Sequence, residues 1–560
     1  MTWRYRLAFF GIIFFFAVVI LKLFYWQVVK AQELSTLGQE QYGTTIKLDP
    51  QRGQIKTSDG FPIAANKISY QVFANPKEVK NVGEEASVLS SVLGIDLASI
   101  SSSLSLDKFW VPIDPSIDAT LKQKLENMNL AGVGFNTQYQ RFYPEASMAA
   151  QLLGFVGKDS DGNNKGYFGL EGYYDRLLTG KEGVAVQVHD AFGRPILAKM
   201  SQSTGGVDGE NLVLSIDRSI QFLAEKEIKA GVEKYGATSG MVGIMEPQTG
   251  RILAMASYPN FDPRDYSNFS EDLYKNPFIS NLYEPGSTFK PIVMSAALDS
   301  NVVTPQTKCT ICSGPVPVSG YDIHTWDDKY FPNTSMIDVI QHSDNTGMVF
   351  VAQKLGLDRM ISSLTSFGIG QNTNIDLQGE VSAPLRPKSQ WYAVDLATTG
   401  FGQGINVTPI ELLDAIAAIA NGGKRMEPHI VDAVESPDGT QVKIPPKVLD
   451  TPISGETAKV MTEIMVNAVD KGEASFARLK GYRIAGKTGT ASIPISGHYD
   501  PTQTIASFIG FAPADNPKFV MLVIYNRPTA SIYGAETAAP TFFTIANSLL
   551  QYEGVPPTGE

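Results

Sequence analysis

Glu284-Pro285-Gly286-Ser287-Thr288-Phe289-Lys290-Pro291 is the stretch on which the reading of this chain turns. If Ser287 opens a helix, Lys290 stands at i+3, one turn along the same face, and its amine can reach the hydroxyl. A serine hydroxyl is a poor nucleophile near neutral pH until a neighbouring base takes its proton. A free lysine titrates near about 10.4, so a lysine serving as that base needs burial or a nearby positive charge. Behind the pair, Phe289, Ile292, Val293, Ala296 and Ala297 fall on one helical face that pins it into a core, and Pro291 is tolerated because it lies in the first turn.

Two later segments complete the chemistry. Ser343-Asp344-Asn345 falls between a helix that Ser335 can cap, Met336 to Gln341, and a helical run starting near Thr346. From that connection Ser343 offers a hydroxyl for proton relay and Asn345 an amide for a substrate carbonyl; taken alone, Asn345 reads as the cap of the following helix. Lys487-Thr488-Gly489-Thr490 reads as an edge strand at an exposed cleft, with an ammonium and hydroxyls for a carboxylate and with Gly489 leaving room for a substrate backbone. Lys487 also supplies the second positive charge that lowers Lys290. The same Ser-x-x-Lys spacing recurs at Ser105-Leu106-Asp107-Lys108, where no apolar helix follows closely and a solvated helix start or loop is expected.

The 560 residues, 43% of them hydrophobic, are enough for two or more globular units, and the net charge of -11 argues against a nucleic-acid-binding surface. Leu7 to Tyr25 is apolar except for Lys22 and long enough to span a bilayer, with Arg4 and Arg6 favouring a cytoplasmic tail; the rival is a cleaved signal peptide ending near Val29-Lys30-Ala31. Cys309 and Cys312 form a local disulfide or two idle thiols in a surface loop. His324 is the nearest further ligand and nothing completes a zinc set, so no metal and no cofactor is expected; His324, His342, His429 and His498 are read as structural.

Residues 40–215 show short β-rich runs such as Ile68 to Phe73 and Val184 to Val188, with Lys158 to Lys165 a loop. A helix capped by Asp217 and closed by Gly236 follows, carrying Ile220, Leu223, Ala224 and Ile228 on one face. Met241 to Ile244 and Ile252 to Met255 form a hairpin, and Thr408-Pro409-Ile410-Glu411 is a capping box for a helix to Ala420. Ile505 to Phe511 and Phe519 to Tyr525 read as strands, and Pro540 starts a last helix with Phe542, Ile545, Ala546 and Leu549. Strands and helices segregate, giving an α+β fold with an antiparallel sheet packed by helices.

The three motifs in this order are the signature of penicillin-binding proteins and class A β-lactamases. The stretch Glu284 to Pro291 resembles the active-site segment of class B penicillin-binding proteins, the membrane-anchored D,D-transpeptidases that cross-link peptidoglycan. Arg52-Gly53-Gln54-Ile55 with Asp59-Gly60, Arg141-Phe142-Tyr143-Pro144, Gly169-Leu170-Glu171, Gly193-Arg194-Pro195-Ile196, Gly402-Gln403-Gly404 and Tyr533-Gly534 extend the resemblance over nearly the whole chain. It implies Ser287 as acylated nucleophile, Lys290 as its base, Ser343 and Asn345 in relay and positioning, and Lys487, Thr488 and Thr490 at the carboxylate. The amides of Ser287 and Thr490 would form the oxyanion hole.

The implied order is a cytoplasmic tail (1–6), a transmembrane anchor (7–29), a non-catalytic pedestal of the dimerisation type (40–215), a transpeptidase domain (216–550) and a short polar tail (551–560) without further wall-binding modules. Peptidoglycan stem peptides ending in D-Ala-D-Ala, on a lipid-linked precursor, are the implied substrate, and β-lactam antibiotics the inhibitors. With no glycosyltransferase domain before the catalytic one, an FtsW-type membrane glycosyltransferase is the implied partner. Glu284-Pro285 and the surroundings of Lys487 resemble the division-type FtsI branch more than the elongation branch. A carboxypeptidase or β-lactamase-like hydrolase and a non-catalytic β-lactam sensor or scaffold are the competing functions; the anchor and pedestal are superfluous for the first, and a multi-span HExxH sensor is not what this sequence encodes.

Overall fold

The computed structural model describes residues 2–34, 37, 43–48, 50–189, 195–495 and 498–558, so Gly193-Arg194 lies outside the described residues. The N-terminus is helical from Trp3 to Phe24 and continues as a π-turn from Tyr25 to Val29; this is one stretch long and apolar enough to cross a membrane, and none of its hydrophobic side chains is covered. It starts four residues earlier than the apolar run, because Trp3 to Arg6 carry no helix breaker.

The chain divides into two compact units. The smaller comprises residues 1–52, 70–138 and 179–209. In it, Tyr70 to Ala74 pairs antiparallel with Val111 to Ile117, while helices Val82–Leu93, Leu97–Leu104 and Ala119–Glu126 bury Ala86, Leu89, Ile100, Leu104 and Leu125 with Val72 and Val111. Asn81, Asp96 and Asp118 each cap one of these helices through a backbone N–H. Strands Gly43–Leu48, Gly183–His189 and Pro195–Thr204 form a separate antiparallel sheet. Ser105 is exposed and ends the helix Leu97–Leu104 instead of starting one, and Lys108 is exposed beyond it.

The larger unit, residues 53–69, 139–178 and 210–560, is built on a five-stranded antiparallel sheet. Its strands are β1 (Ser239–Met245), β2 (Ile252–Tyr258), β3 (Ala485–Ile495), β4 (His498–Ala512) and β5 (Phe519–Asn526), in the order β2-β1-β5-β4-β3. Successive residues of a strand point to opposite faces. Met521, Val523 and Tyr525 therefore meet α1 (Arg218–Tyr235) and the C-terminal helix (Ala538–Tyr552), whereas Val520, Leu522 and Ile524 meet the helical layer that carries Ser287. Both faces being covered explains why β5 is an unbroken hydrophobic run. Each large side chain so buried contributes about 1.5–3 kcal/mol relative to exposure.

In the second layer, α2 (Lys290–Asp299) is buried on every side from Lys290 to Leu298, not on one face, and α5 (Pro409–Ala420) is buried throughout behind a Thr408–Glu411 capping box. Between them in sequence lie α3 (Met336–Gln341) and α4 (Asn345–Leu355), and after them α6 (Gly455–Lys471). Asp217 and Gly236 bound α1 as the sequence predicts, and the last helix starts at Ala538, two residues before Pro540. Lys158 and Lys165 lie in a short hairpin, and the loop is confined to its turn. Cys309 and Cys312 are disulfide-bonded, but both are buried in the main core, not at the surface.

Candidate active site

Ser287 sits in a 3-10 turn, Gly286–Phe289, that leads into α2, so it precedes the α-helix by three residues. Gly286 adopts φ 56°, a left-handed conformation, and donates its N–H to the Gly402 carbonyl at 3.0 Å. A Cβ on Gly402, itself at φ +81°, would stand 2.2 Å from the Gly286 carbonyl oxygen. The turn is thus clamped from below by the Gly402-Gln403-Gly404 loop. Glu284 fastens the same loop by accepting from the Gly404 N–H at 3.1 Å and from the Tyr499 hydroxyl, and burial holds its carboxyl above the usual range.

Lys290 is fully buried at the start of α2. Its ammonium donates to the Ser343 carbonyl at 2.5 Å, the Ser343 hydroxyl at 3.3 Å and Asn345 Oδ1 at 2.8 Å. Among the described residues no hydrogen bond joins it to Ser287, so the expected direct contact is replaced by contacts to Ser343 and Asn345. Burial, and after it the Lys487 ammonium, lowers the titration of Lys290 to about 7. A fully enclosed amine loses hydration that its charged form needs.

Ser343 occupies the connection between α3 and α4 at φ 54°, a conformation that costs a non-glycine residue energy. Ser335 caps α3 in a capping box with Asp338. The cap of α4 is Asp344, which accepts from the Gly347 N–H, and not Asn345. Asn345 is thereby released toward the site, with Nδ2 donating to the His324 carbonyl at 3.1 Å and Oδ1 held by Lys290.

The third segment lies on β3, an edge strand as expected. Thr488, Thr490 and Ser492 alternate onto one face and line a cavity of about 700 Å³ together with Ser287, Ser343, Asn345, Glu473 and Tyr533. Lys487 is 3% exposed, a correction to the exposed lysine read from sequence: β3 is an edge in hydrogen bonding, but α6 packs over it. Burial lowers its titration as well. The Lys487 ammonium donates to the Thr488 hydroxyl at 2.9 Å, and that hydroxyl donates to Glu473 Oε2 at 2.6 Å. The face of Gly489 on which a side chain would stand is filled: a Cβ there would meet Ser507 Oγ at 2.4 Å and Thr288 Cγ2 at 2.8 Å. Its missing side chain lets the turn that carries Ser287 close onto β3.

Sequence reasoning missed Glu473, which nothing in its neighbourhood marks; only the end of α6 brings it beside Thr488. Trp326, edge-on to Tyr533 at 5.7 Å, was also missed, whereas Gln403 and Tyr533 belong to stretches already singled out by resemblance.

A serine beside a buried lysine of lowered basicity, a second hydroxyl and amide in contact with that lysine, and a threonine-lined strand make a site for serine acyl transfer. The penicillin binding protein transpeptidase domain matches residues 240–550, and the penicillin-binding protein dimerisation domain matches residues 47–214. Stage V sporulation protein D of Bacillus subtilis is 34% identical over 99% of this chain and 87% of that protein. Peptidoglycan D,D-transpeptidase FtsI of Escherichia coli is 29% identical over 99% of this chain and 93% of that protein. Among solved structures, a peptidoglycan synthetase from Bifidobacterium adolescentis superposes with a TM-score of 0.75 at 27% identity, covering 92% of this chain and 98% of its own. Penicillin binding protein 3 from Mycobacterium tuberculosis, complexed with aztreonam, gives 0.71 at 25% identity, covering 91% and 98%. The chain belongs to the class B penicillin-binding proteins, a family of D,D-transpeptidase enzymes.

Proposed function

We propose that this chain cross-links peptidoglycan by a serine acyl-enzyme route, with the Trp3–Val29 helix anchoring it in the cell membrane and the remainder outside. The observation that carries the reading is the contact of Lys290, lowered to about 7, with both Ser343 and Asn345 beside the cavity that Ser287 lines. Neutral Lys290 takes the Ser287 proton as Oγ attacks the carbonyl of a D-Ala-D-Ala bond, and the Ser287 and Thr490 amides hold the oxyanion. The proton passes by way of the Ser343 hydroxyl to the leaving D-Ala amine, while Asn345 positions the peptide. An amine of a neighbouring stem then attacks the ester, giving its proton back along the same route and freeing Ser287. Lys487, Thr488 and Thr490 hold the terminal carboxylate of the donor stem, and Gly489 shapes that strand. A β-lactam follows the first half only, its ring nitrogen taking the proton and its carbonyl remaining on Ser287.

Residues 1–6 are then cytoplasmic, 7–29 the anchor, 40–215 the pedestal, 216–550 the transpeptidase domain and 551–560 a tail. An FtsW-type glycosyltransferase is the partner that polymerises the glycan strands. Glu284-Pro285, the similarity to FtsI and the surroundings of Lys487 support a septal role. The 34% identity to stage V sporulation protein D supports a second reading, cross-linking during sporulation. Purified chain supplied with polymerised lipid-linked precursor should yield cross-linked dimers, and Ser287→Ala none; release of D-Ala without dimers would make it a hydrolase. Depletion in growing cells should give filaments; normal division with defective spores favours the second reading, and rounded cells would exclude both.

A further inference from the structure

Glu473 brings a carboxylate into the cavity on the side that faces Lys487 and Thr488. The Thr488 hydroxyl has one proton, and it is committed to Glu473 Oε2 at 2.6 Å, while its oxygen accepts from the Lys487 ammonium at 2.9 Å. Lys487 and Thr488 therefore already serve an anion, one supplied by the chain itself. The same carboxylate acts on the titration of both lysines: Lys290 is faced by Lys487, Asp344 and Glu473, and Lys487 by Glu473.

We propose that Glu473 is a specificity-determining residue, an internal rival to the donor's terminal carboxylate that weakens the site's preference for anionic acyl donors. The inference rests on the reading of Lys487, Thr488 and Thr490 as the carboxylate-holding set. For an anionic donor to take the Thr488 hydroxyl, Glu473 must release it, and two like charges then share one wall of the cavity. A neutral donor meets no such opposition.

The test compares acylation of the full chain in detergent by benzylpenicillin and by its neutral methyl ester, in wild type and Glu473→Gln. Glutamine keeps the size and an acceptor oxygen for Thr488 while removing the charge. The ratio of the second-order rate constants, benzylpenicillin over ester, should rise about tenfold, the factor that corresponds to about 1.4 kcal/mol of removed repulsion; the change that Glu473→Gln makes in the titration of the two lysines bears on both donors alike and leaves the ratio untouched. Added salt should narrow the difference between the two proteins. Glu473→Thr, smaller and also neutral, should give the same rise if the glutamine variant does not fold. An unchanged ratio of benzylpenicillin to ester, or a fall in the benzylpenicillin rate alone, overturns the proposal; the latter would make Glu473 a support for Thr488. Wild type that is not labelled at Ser287 would instead bring down the site reading itself, so the two failures are distinguishable.

Discussion

Replacing Lys290 by methionine keeps a long unbranched side chain in the same buried slot and removes the titrating group. In the wild type, burial and then Lys487 lower this lysine from 10.5 to about 7. At 1.36 kcal/mol per unit, that interval corresponds to about 5 kcal/mol charged against the fold when the lysine is protonated. The folded value lies below the unfolded one, so the unfolded chain holds the extra proton between about pH 7 and 10.5, and stability rises with pH across that window. Below pH 6 both states are protonated and the penalty is complete. Relative to Lys290→Met, the wild type should therefore gain about 1.4 kcal/mol per pH unit above 7, close to 3 kcal/mol by pH 9. The lost contacts to Ser343 and Asn345 shift the whole curve but not its slope. Heat unfolding of the full chain in detergent reads this as a change of about 3 °C in the Tm difference between the two proteins. Tm curves that stay parallel from pH 6 to 9 would refute the lowered titration and with it the lysine's suitability as a base.

Lys487→Met removes the positive neighbour of Lys290, so acylation should slow and the acid limb of its pH profile should move upward; a slower rate on an unmoved profile leaves Lys487 a carboxylate-binding role alone. Gly402→Ala forces a Cβ against the Gly286 carbonyl at φ +81°, and should cost about 1–3 kcal/mol in Tm measurements while also slowing Ser287 acylation. A folded variant with wild-type acylation would show that the clamp does not position the turn. Glu171→Gln breaks a buried ion pair whose Arg141 and Glu171 side chains are 5% and 0% exposed, and should lower stability by about 3–5 kcal/mol with acylation intact at low temperature.

What the sequence could and could not reveal follows from the range of the forces involved. The caps at Asp217, Ser335 and Thr408 were legible because a cap is a local hydrogen bond between residues two or three apart. The hairpin of β1 and β2 was legible because its turn lies in the chain between them. Lys487 was misplaced because its burial comes from α6, and the packing of Gly489 against Thr288 and Ser507 was not legible because both arrive from other segments. The choice of Asp344 over Asn345 as cap of α4 hangs on the left-handed turn at Ser343, which sequence alone does not impose on a serine. Glu473 stayed hidden for the same reason: a carboxylate after a helix is ordinary until Thr488 is found beside it.

The central claim is that Ser287, with Lys290 as its base, is the residue acylated. Incubating the full chain with a labelled penicillin and mapping the modified peptide by mass spectrometry tests it most directly. The account predicts a stable ester on Ser287 at one label per chain, abolished in Ser287→Ala and in Lys290→Ala, whose folds should persist. Label on Ser105, on another residue or on none, or an unchanged acylation rate in Lys290→Ala, would contradict it.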